Sequence, residues 1–463
     1  MTSNDPDSSR EIATRTLTPE TTNLFPRQFT EFPEVVRGDG PYLYDRNGTE
    51  YFDAIAGNQC SNIGHGIDAV ADAAHEQLTE LEYASSVLFV NDRAQSYTAK
   101  LADFLPDGFD HTWLVSGGSE ANESAIKLAR EYQRERGRPE RSKVIGRRIG
   151  YHGGTLGTLA ATGMPARREP YVPMLEDWPK APAAYPYRCR FCADESACRE
   201  HGVKCAKELE RVIQDVGAEY VAAFIAEPVV GAANAACVPG EGYFKTIRSI
   251  CDDYDVLFIA DEIMCGMGRT GANFAIEHWD VLPDIITAAK GMSAGYTPIG
   301  GMMPREEIVE VFNDKPDGFT HGHTYSFNPT SAAIAEAVLE YMHHNDVVAN
   351  ARDVGGYVRE RFEEFYDYDF VGDVRGKGLM LGLEFVEDRD SKAPLANGGP
   401  EFRQQLLHTA LEHGITVYPG GGSVDGTHGD HVLITPPLTI TRDQADEMMT
   451  RLHATLEAMA THV

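Results

Sequence analysis

Lysine is scarce in this chain: 11 residues out of 463, so that most of the 41 cationic side chains are arginine. Cations of both kinds fall well short of the 71 Asp and Glu, leaving a net charge of −30. A surface of that sign repels phosphate backbones and anionic lipid headgroups, which argues against nucleic acid and membrane as partners. Long apolar runs are missing too. None approaches the roughly 20 residues that cross a bilayer, and the opening MTSNDPDSSR has neither the basic nor the apolar segment of a secretory leader. Cysteine is sparse, 8 in all, too few for a disulfide scaffold at this length. Reduced thiols and a cytoplasmic location are therefore expected. No P-loop G-K-[ST] occurs and GGGSVDG fails the G-x-G-x-x-G spacing, which argues against a nucleotide-binding dehydrogenase.

What is present begins with enough apolar residues, 42% of the chain, to bury substantial cores in two or three domains. The acid-rich, lysine-poor surface is that expected of a halophilic protein. Like charges crowd one another in dilute buffer, and molar salt screens them, so salt is expected to stabilise the fold.

The first 25 residues are polar and are expected to form a flexible arm. A β-hairpin is expected next: Tyr42, Leu43 and Tyr44 face Tyr51 and Phe52 across Asn47-Gly48, a dipeptide that favours a type I′ turn. From about residue 95, short apolar runs alternate with helix-period segments, as a parallel sheet with crossover helices requires. Strands are expected at Thr112 to Val115, Tyr220 to Ala226, Val256 to Ala260 and Ile285 to Ala288. Helices are expected at Ser119 to Arg134 and Tyr243 to Tyr254. Further on, an alanine-rich helix from Ser331 to Met342, a strand from Leu379 to Phe385 and a last helix from Arg442 suggest a second, smaller α+β unit shared with the N-terminal hairpin. The expected division is 26–80 and 331–463 for that unit, and 81–330 for the large one, with a Cys-rich insertion at 185–206.

The chemistry gathers where strands end, since ligands of α/β sheets bind at the carboxyl ends. Asp261 and Glu262 close one strand; Lys290 follows another. A lysine that forms a Schiff base must lose its proton, which desolvation promotes. An aspartate facing a pyridine nitrogen keeps it protonated and electron-withdrawing. Either residue alone is more often structural; together they suggest an electron-sink cofactor site. Ser116-Gly117-Gly118-Ser119 lies between a strand and a helix, where glycines and free amides make a phosphate cup, although Gly-Ser there is also an ordinary N-cap. Tyr151, in Tyr151-His152-Gly153-Gly154, can stack on a flat ring, or sit in the core. Glu227 closes a further strand. His321 and His323 have no third ligand nearby, which argues against a metal there.

FIADEIMCGMGRTG followed by DIITAAKGMSAGYTPIGG resembles the class III aminotransferase signature. So, in the family's order, do GPYLYDRNGTEYFD, SGGSEANESAIKLAR, GYHGGT, AEPVVG, HGHTYSFNP, VRGKGLMLG and ITPPLTIT. The resemblance implies a fold-type I α/β architecture, with a mostly parallel seven-stranded sheet in the large domain and a small α+β domain from both chain ends. It implies pyridoxal 5'-phosphate bound to Lys290, with Asp261 at the pyridine nitrogen and Tyr151 and Ile263 on either face of the ring. Gly117, Gly118 and Ser119 would hold the phosphate, with His152 and Glu227 beside the cofactor. Thr324 would reach the phosphate of a neighbouring subunit in a homodimer or dimer of dimers. The activity implied is ping-pong transfer of an amino group, through pyridoxamine phosphate, from an amine donor to a keto-acid acceptor. Aminomutase and decarboxylase reactions use the same cofactor residues.

Family members acting on α,ω-diamino acids commonly carry an Arg shortly before Pro-Pro-Leu. HVLITPPL has none, so amines or ω-amino acids are the expected donors, with an acceptor such as pyruvate. Arg167, Arg168 and Arg375 remain as carboxylate partners, Arg375 being read as structural. The insertion holds Cys189, Cys192, Cys198 and Cys205. Four thiols could take zinc or an iron–sulfur cluster, but only the first two are closely spaced, so free thiols or a local disulfide are expected instead and no metal is assigned.

Overall fold

The computed structural model describes residues 14–25 and 31–463. Its centre is a seven-stranded sheet in the order Trp113–Val115, Gly300–Pro304, Ile285–Ala288, Leu257–Asp261, Val221–Ala226, Lys143–Arg147 and Lys180–Ala181. Gly300–Pro304 runs antiparallel to both neighbours, and the other pairings are parallel. Val221–Ala226 is buried along its whole length, which explains its unbroken apolar run VAAFIA. Helices Gly118–Glu135 and Tyr243–Tyr254 pack on the sheet, the latter burying Tyr243, Phe244, Ile247, Ile250 and Cys251.

A second core draws on both regions of sequence expected for the small unit. Phe52, Ile63 and Val70 meet residues from Ile334 to Met459. Its sheet is antiparallel, in the order Val371–Lys377, Met380–Phe385, Asp430–Ile434 and Tyr418–Gly421. Helix Pro329–His344 serves both cores: Ala332, Ala335 and Leu339 face the first, Ile334, Val338 and Met342 the second. Helix Arg442–Met459 starts at a capping box, Thr441 accepting from the Gln444 amide and Gln444 reaching back. Among the described residues no helix is long and apolar enough to cross a membrane.

Two expectations are corrected. The hairpin forms, pairing Tyr42 with Phe52 and Leu43 with Tyr51. Its turn, however, is not type I′, which needs positive φ at both central residues. Only Gly48 is left-handed (φ 84°), and its amide closes a turn on the Asp45 carbonyl at 3.0 Å. Asp45 also accepts from the Asn47 and Thr49 amides, at 2.9 and 2.8 Å, and this side-chain template selects a wider loop over the two-residue one. The expected arm is not wholly without structure: Thr14–Thr16 pairs antiparallel with Glu31–Pro33. Residues 1–13 of that arm lie outside the described residues.

Candidate active site

The strand ends that lead to Ser116, Glu227, Asp261 and Lys290 open on one cavity of about 340 Å³. Gly117, Gly118, Ser119, Tyr151, His152, Glu227, Asp261, Ile263 and Lys290 all line it. Thr324 does not; it is exposed, its carbonyl accepting from the Tyr83 hydroxyl at 2.9 Å.

Asp261, buried at the end of its strand, is held by three donors. Oδ2 accepts from Asn122 Nδ2 at 2.8 Å and His152 Nδ1 at 2.7 Å, and Oδ1 from the Ile263 amide at 3.1 Å. A carboxylate only accepts, so the His152 proton sits on Nδ1, and Nε2 is buried with no partner. Asn122 is the hub. Its Nδ2 also donates to the His152 carbonyl at 2.8 Å, and its Oδ1 accepts from the Thr287 hydroxyl at 2.6 Å. One amide from the helix thus joins three strand ends.

Lys290 adopts a left-handed backbone (φ 43°), a conformation that side-chain-bearing residues avoid unless the surroundings impose it. Its Nζ donates to Gln59 Oε1 at 3.2 Å. Loss of water pushes its pKa below the usual lysine value, against the opposing pull of Cys60, Asp261 and Glu227. Glu227 accepts from the Tyr151 amide at 3.0 Å and the Gly231 amide at 2.9 Å, and burial pushes its pKa up.

The cup at Gly117 has open space where a side chain would stand, while a Cβ on Gly118 would lie 2.8 Å from Ile263. Gly118 therefore lets the helix start come close to the residue on the far side of the cavity. First-turn amides of a helix have no intrahelical acceptor, and here they border the cavity. Ser119 Oγ accepts from the Gly154 amide at 3.1 Å. An anion-binding helix start at one end, a buried, oriented carboxylate at the other, and a desolvated lysine beside Tyr151 and Ile263 fit a phosphorylated pyridine aldehyde.

Residues 26–456 match the family model described as Aminotransferase class-III. The chain belongs to the class III aminotransferases. Among its relatives, the uncharacterized aminotransferase YodT of Bacillus subtilis is 36% identical, over 94% of this chain and 97% of that protein. The putrescine–pyruvate aminotransferase of Pseudomonas aeruginosa is 35% identical over 93% and 91%. Among solved structures, the (S)-enantioselective omega-transaminase of Thermomicrobium roseum superposes with a TM-score of 0.85, at 36% identity and 92% coverage of each chain. The protein is thus a pyridoxal-phosphate-dependent enzyme of fold type I that transfers amino groups.

Three features of this aminotransferase site escaped sequence reasoning. Gln59 sits in a strained segment, with Ala56, Gly57 and Gln59 all at positive φ, for which no motif gave a signal. Asn122 stood inside the SGGSEAN motif without a role. Arg269, in GMGRTG, is buried and bonds Asn62 Oδ1 at 2.7 Å and the Leu379 carbonyl at 3.1 Å, tying the N-terminal loop to the second sheet. Arg375 is structural, held by Asp373, Glu384, Tyr185 and Asn234.

Proposed function

We propose that this aminotransferase takes its amino group from amines or ω-amino acids and passes it to a small keto acid such as pyruvate, by double displacement, as a cytoplasmic homodimer. The observation that carries the substrate reading is Arg167. It has no carboxylate partner among the described residues, and its guanidinium lies 5.3 Å from the ring centroid of Tyr151, which lines the cavity. A free guanidinium at that place suits the single carboxylate of an acceptor or of an ω-amino acid. The activities named for the relatives, putrescine with pyruvate and omega-transamination, point the same way.

Pyridoxal phosphate, when bound, supplies an electron sink for the pair left as a substrate C–H bond breaks. This chain's part is to hold and move protons. Lys290, whose desolvation favours loss of its proton, would take the proton from the carbon bearing the donor's amino group and return one later. Asp261, fixed by His152 and Asn122, would keep a proton on the ring nitrogen. The amides at Gly117 to Ser119 would hold the phosphate.

The dimer reading rests on Val87 to Val90, a contiguous apolar run from 64% to 89% exposed. Unpartnered apolar surface of this kind belongs to an interface. Tyr83, just before the run, contacts the Tyr325 ring at 5.9 Å, so Thr324 lies beside the run. That placement suits a role for Thr324 at the partner's phosphate.

Absorbance tests the reading. Donor added without acceptor should bleach the visible band of the cofactor, with amines and ω-amino acids outperforming α,ω-diamino acids. Lys290→Ala should lose turnover by at least about a thousandfold while keeping its circular dichroism. Retained transamination in that variant refutes the role of Lys290, and a preference for ornithine-like donors refutes the substrate reading.

A further inference from the structure

The insertion holds a second, separate constellation. The sulfurs of Cys189, Cys192, Cys198 and Cys205 all lie within 4.8 Å of one another, and none is in a disulfide. Sequence spacing hid the second pair. Cys198 lies in helix Glu195–Glu200 and Cys205 in the first turn of helix Val203–Val216. Between them Gly202, left-handed at φ 64°, reverses the chain and brings the two sulfurs to 3.9 Å. The first pair follows directly on the turn Pro186–Arg188, both thiols half-buried.

We propose that these four cysteines bind one zinc ion as a tetrahedral, structural site. Thiolates about 2.3 Å from zinc stand roughly 3.8 Å apart along the edges of a tetrahedron, so the observed spread needs only a small contraction. A disulfide would use two of the sulfurs and leave the other two facing it without purpose. A cluster of several irons, with each cysteine on a different metal, would hold the sulfurs farther apart than a single ion does. With four protein ligands no position is left for substrate, so the site is structural.

The ion would close a clamp. Before and within the cysteine run, side chains fasten the insertion to the second sheet, Arg188 to Glu384 at 2.7 Å and Arg199 to Asp373 at 2.7 Å, and to the loop after its strand Met380–Phe385, Glu195 to Lys392 at 2.9 Å. Arg375 of that sheet reaches back to the Tyr185 hydroxyl at 2.9 Å. Zinc would therefore hold together the short stretch of chain through which the two sheets are joined by charge.

Metal content and cobalt spectroscopy test this on the purified holoenzyme. Elemental analysis after exhaustive dialysis should find about one zinc per chain, and cobalt exchanged into the site should give thiolate charge-transfer bands and strong tetrahedral d–d bands. Cys192→Ser, at a half-buried position, should lower the zinc content several-fold and the thermal midpoint by several degrees. Cys192→His, which keeps a ligand, should retain both metal and cobalt bands. The proposal fails if reduced wild-type protein holds no zinc and takes up no cobalt. It fails equally if a Cys198–Cys205 disulfide is found in metal-free protein, or if Cys192→Ser keeps its zinc.

Discussion

Asn122 shows how much of a site can hang on a neutral side chain. Its amide satisfies Asp261, the His152 carbonyl and the Thr287 hydroxyl together. Asn122→Ala should leave those groups short of partners, costing about 1 to 3 kcal/mol of stability. Asp261 would be free to turn, so kcat should fall at least roughly tenfold while KM for the donor moves little; steady-state kinetics beside a urea melt separate the two effects. Lys290 and Asp261 were legible in the sequence because their chemistry is rare and each follows an apolar strand. Asn122 and Gln59 were not, since their work is defined by partners that only the folded sheet brings near. His431 is a different case, buried in the second sheet with Nδ1 2.7 Å from the Ser423 hydroxyl. Burial, with the charges of Arg375 and Arg403, pushes its pKa down to about 3 from an ordinary 6.5. Between those values the native state binds fewer protons than the unfolded chain, so stability rises with pH across this window and is lost as pH falls through it. From pH 6.5 to about pH 5 the loss is about 2 kcal/mol, and His431→Asn should flatten that slope in denaturant titrations.

At the scale of elements, the apolar runs located the strands because a sheet buried on both faces leaves no alternation to misread. Tyr243–Tyr254 and Ile285–Ala288 lie where their patterns placed them. The hairpin turn was misassigned because the Asp45 side chain, and not the Asn-Gly dipeptide, sets the loop. Close approaches between elements were not legible at all. Helix Val347–Phe362 carries two adjacent glycines with opposite surroundings: a Cβ on Gly355 would lie 2.4 Å from the backbone of Gly378, and one on Gly356 would meet nothing within 4 Å. Gly355→Ala should therefore destabilise by roughly 1 to 3 kcal/mol. Gly356→Ala, mid-helix and exposed, should stabilise by up to about 1 kcal/mol. Thermal melts of the two variants should shift in opposite directions.

For the whole molecule the dominant property is charge. A net −30 on one chain is self-repulsive at low ionic strength. Raising salt from about 0.1 M to about 1 M shortens the screening length from roughly 10 to 3 Å. The thermal midpoint should rise accordingly, by roughly 1 °C for each kcal/mol of repulsion relieved in a chain of this length. A midpoint unmoved by salt would remove the halophilic reading without touching the chemistry.

The antiparallel strand Gly300–Pro304 governs how the molecule comes into being. Trp113–Val115, which leads into the phosphate cup, pairs with no other strand among the described residues, so its partner is made long after it leaves the ribosome. Until then the early strand waits unpaired, and ordering so distant a pair comes late because the loop closure must precede the contacts that reward it. Gly300–Pro304 also pairs with Ile285–Ala288, which leads to Lys290, so the one strand joins the cup to the lysine. Cofactor capture should accordingly follow synthesis of this strand: a chain stalled before Gly300 should be unable to take up pyridoxal phosphate however well its earlier strands have formed.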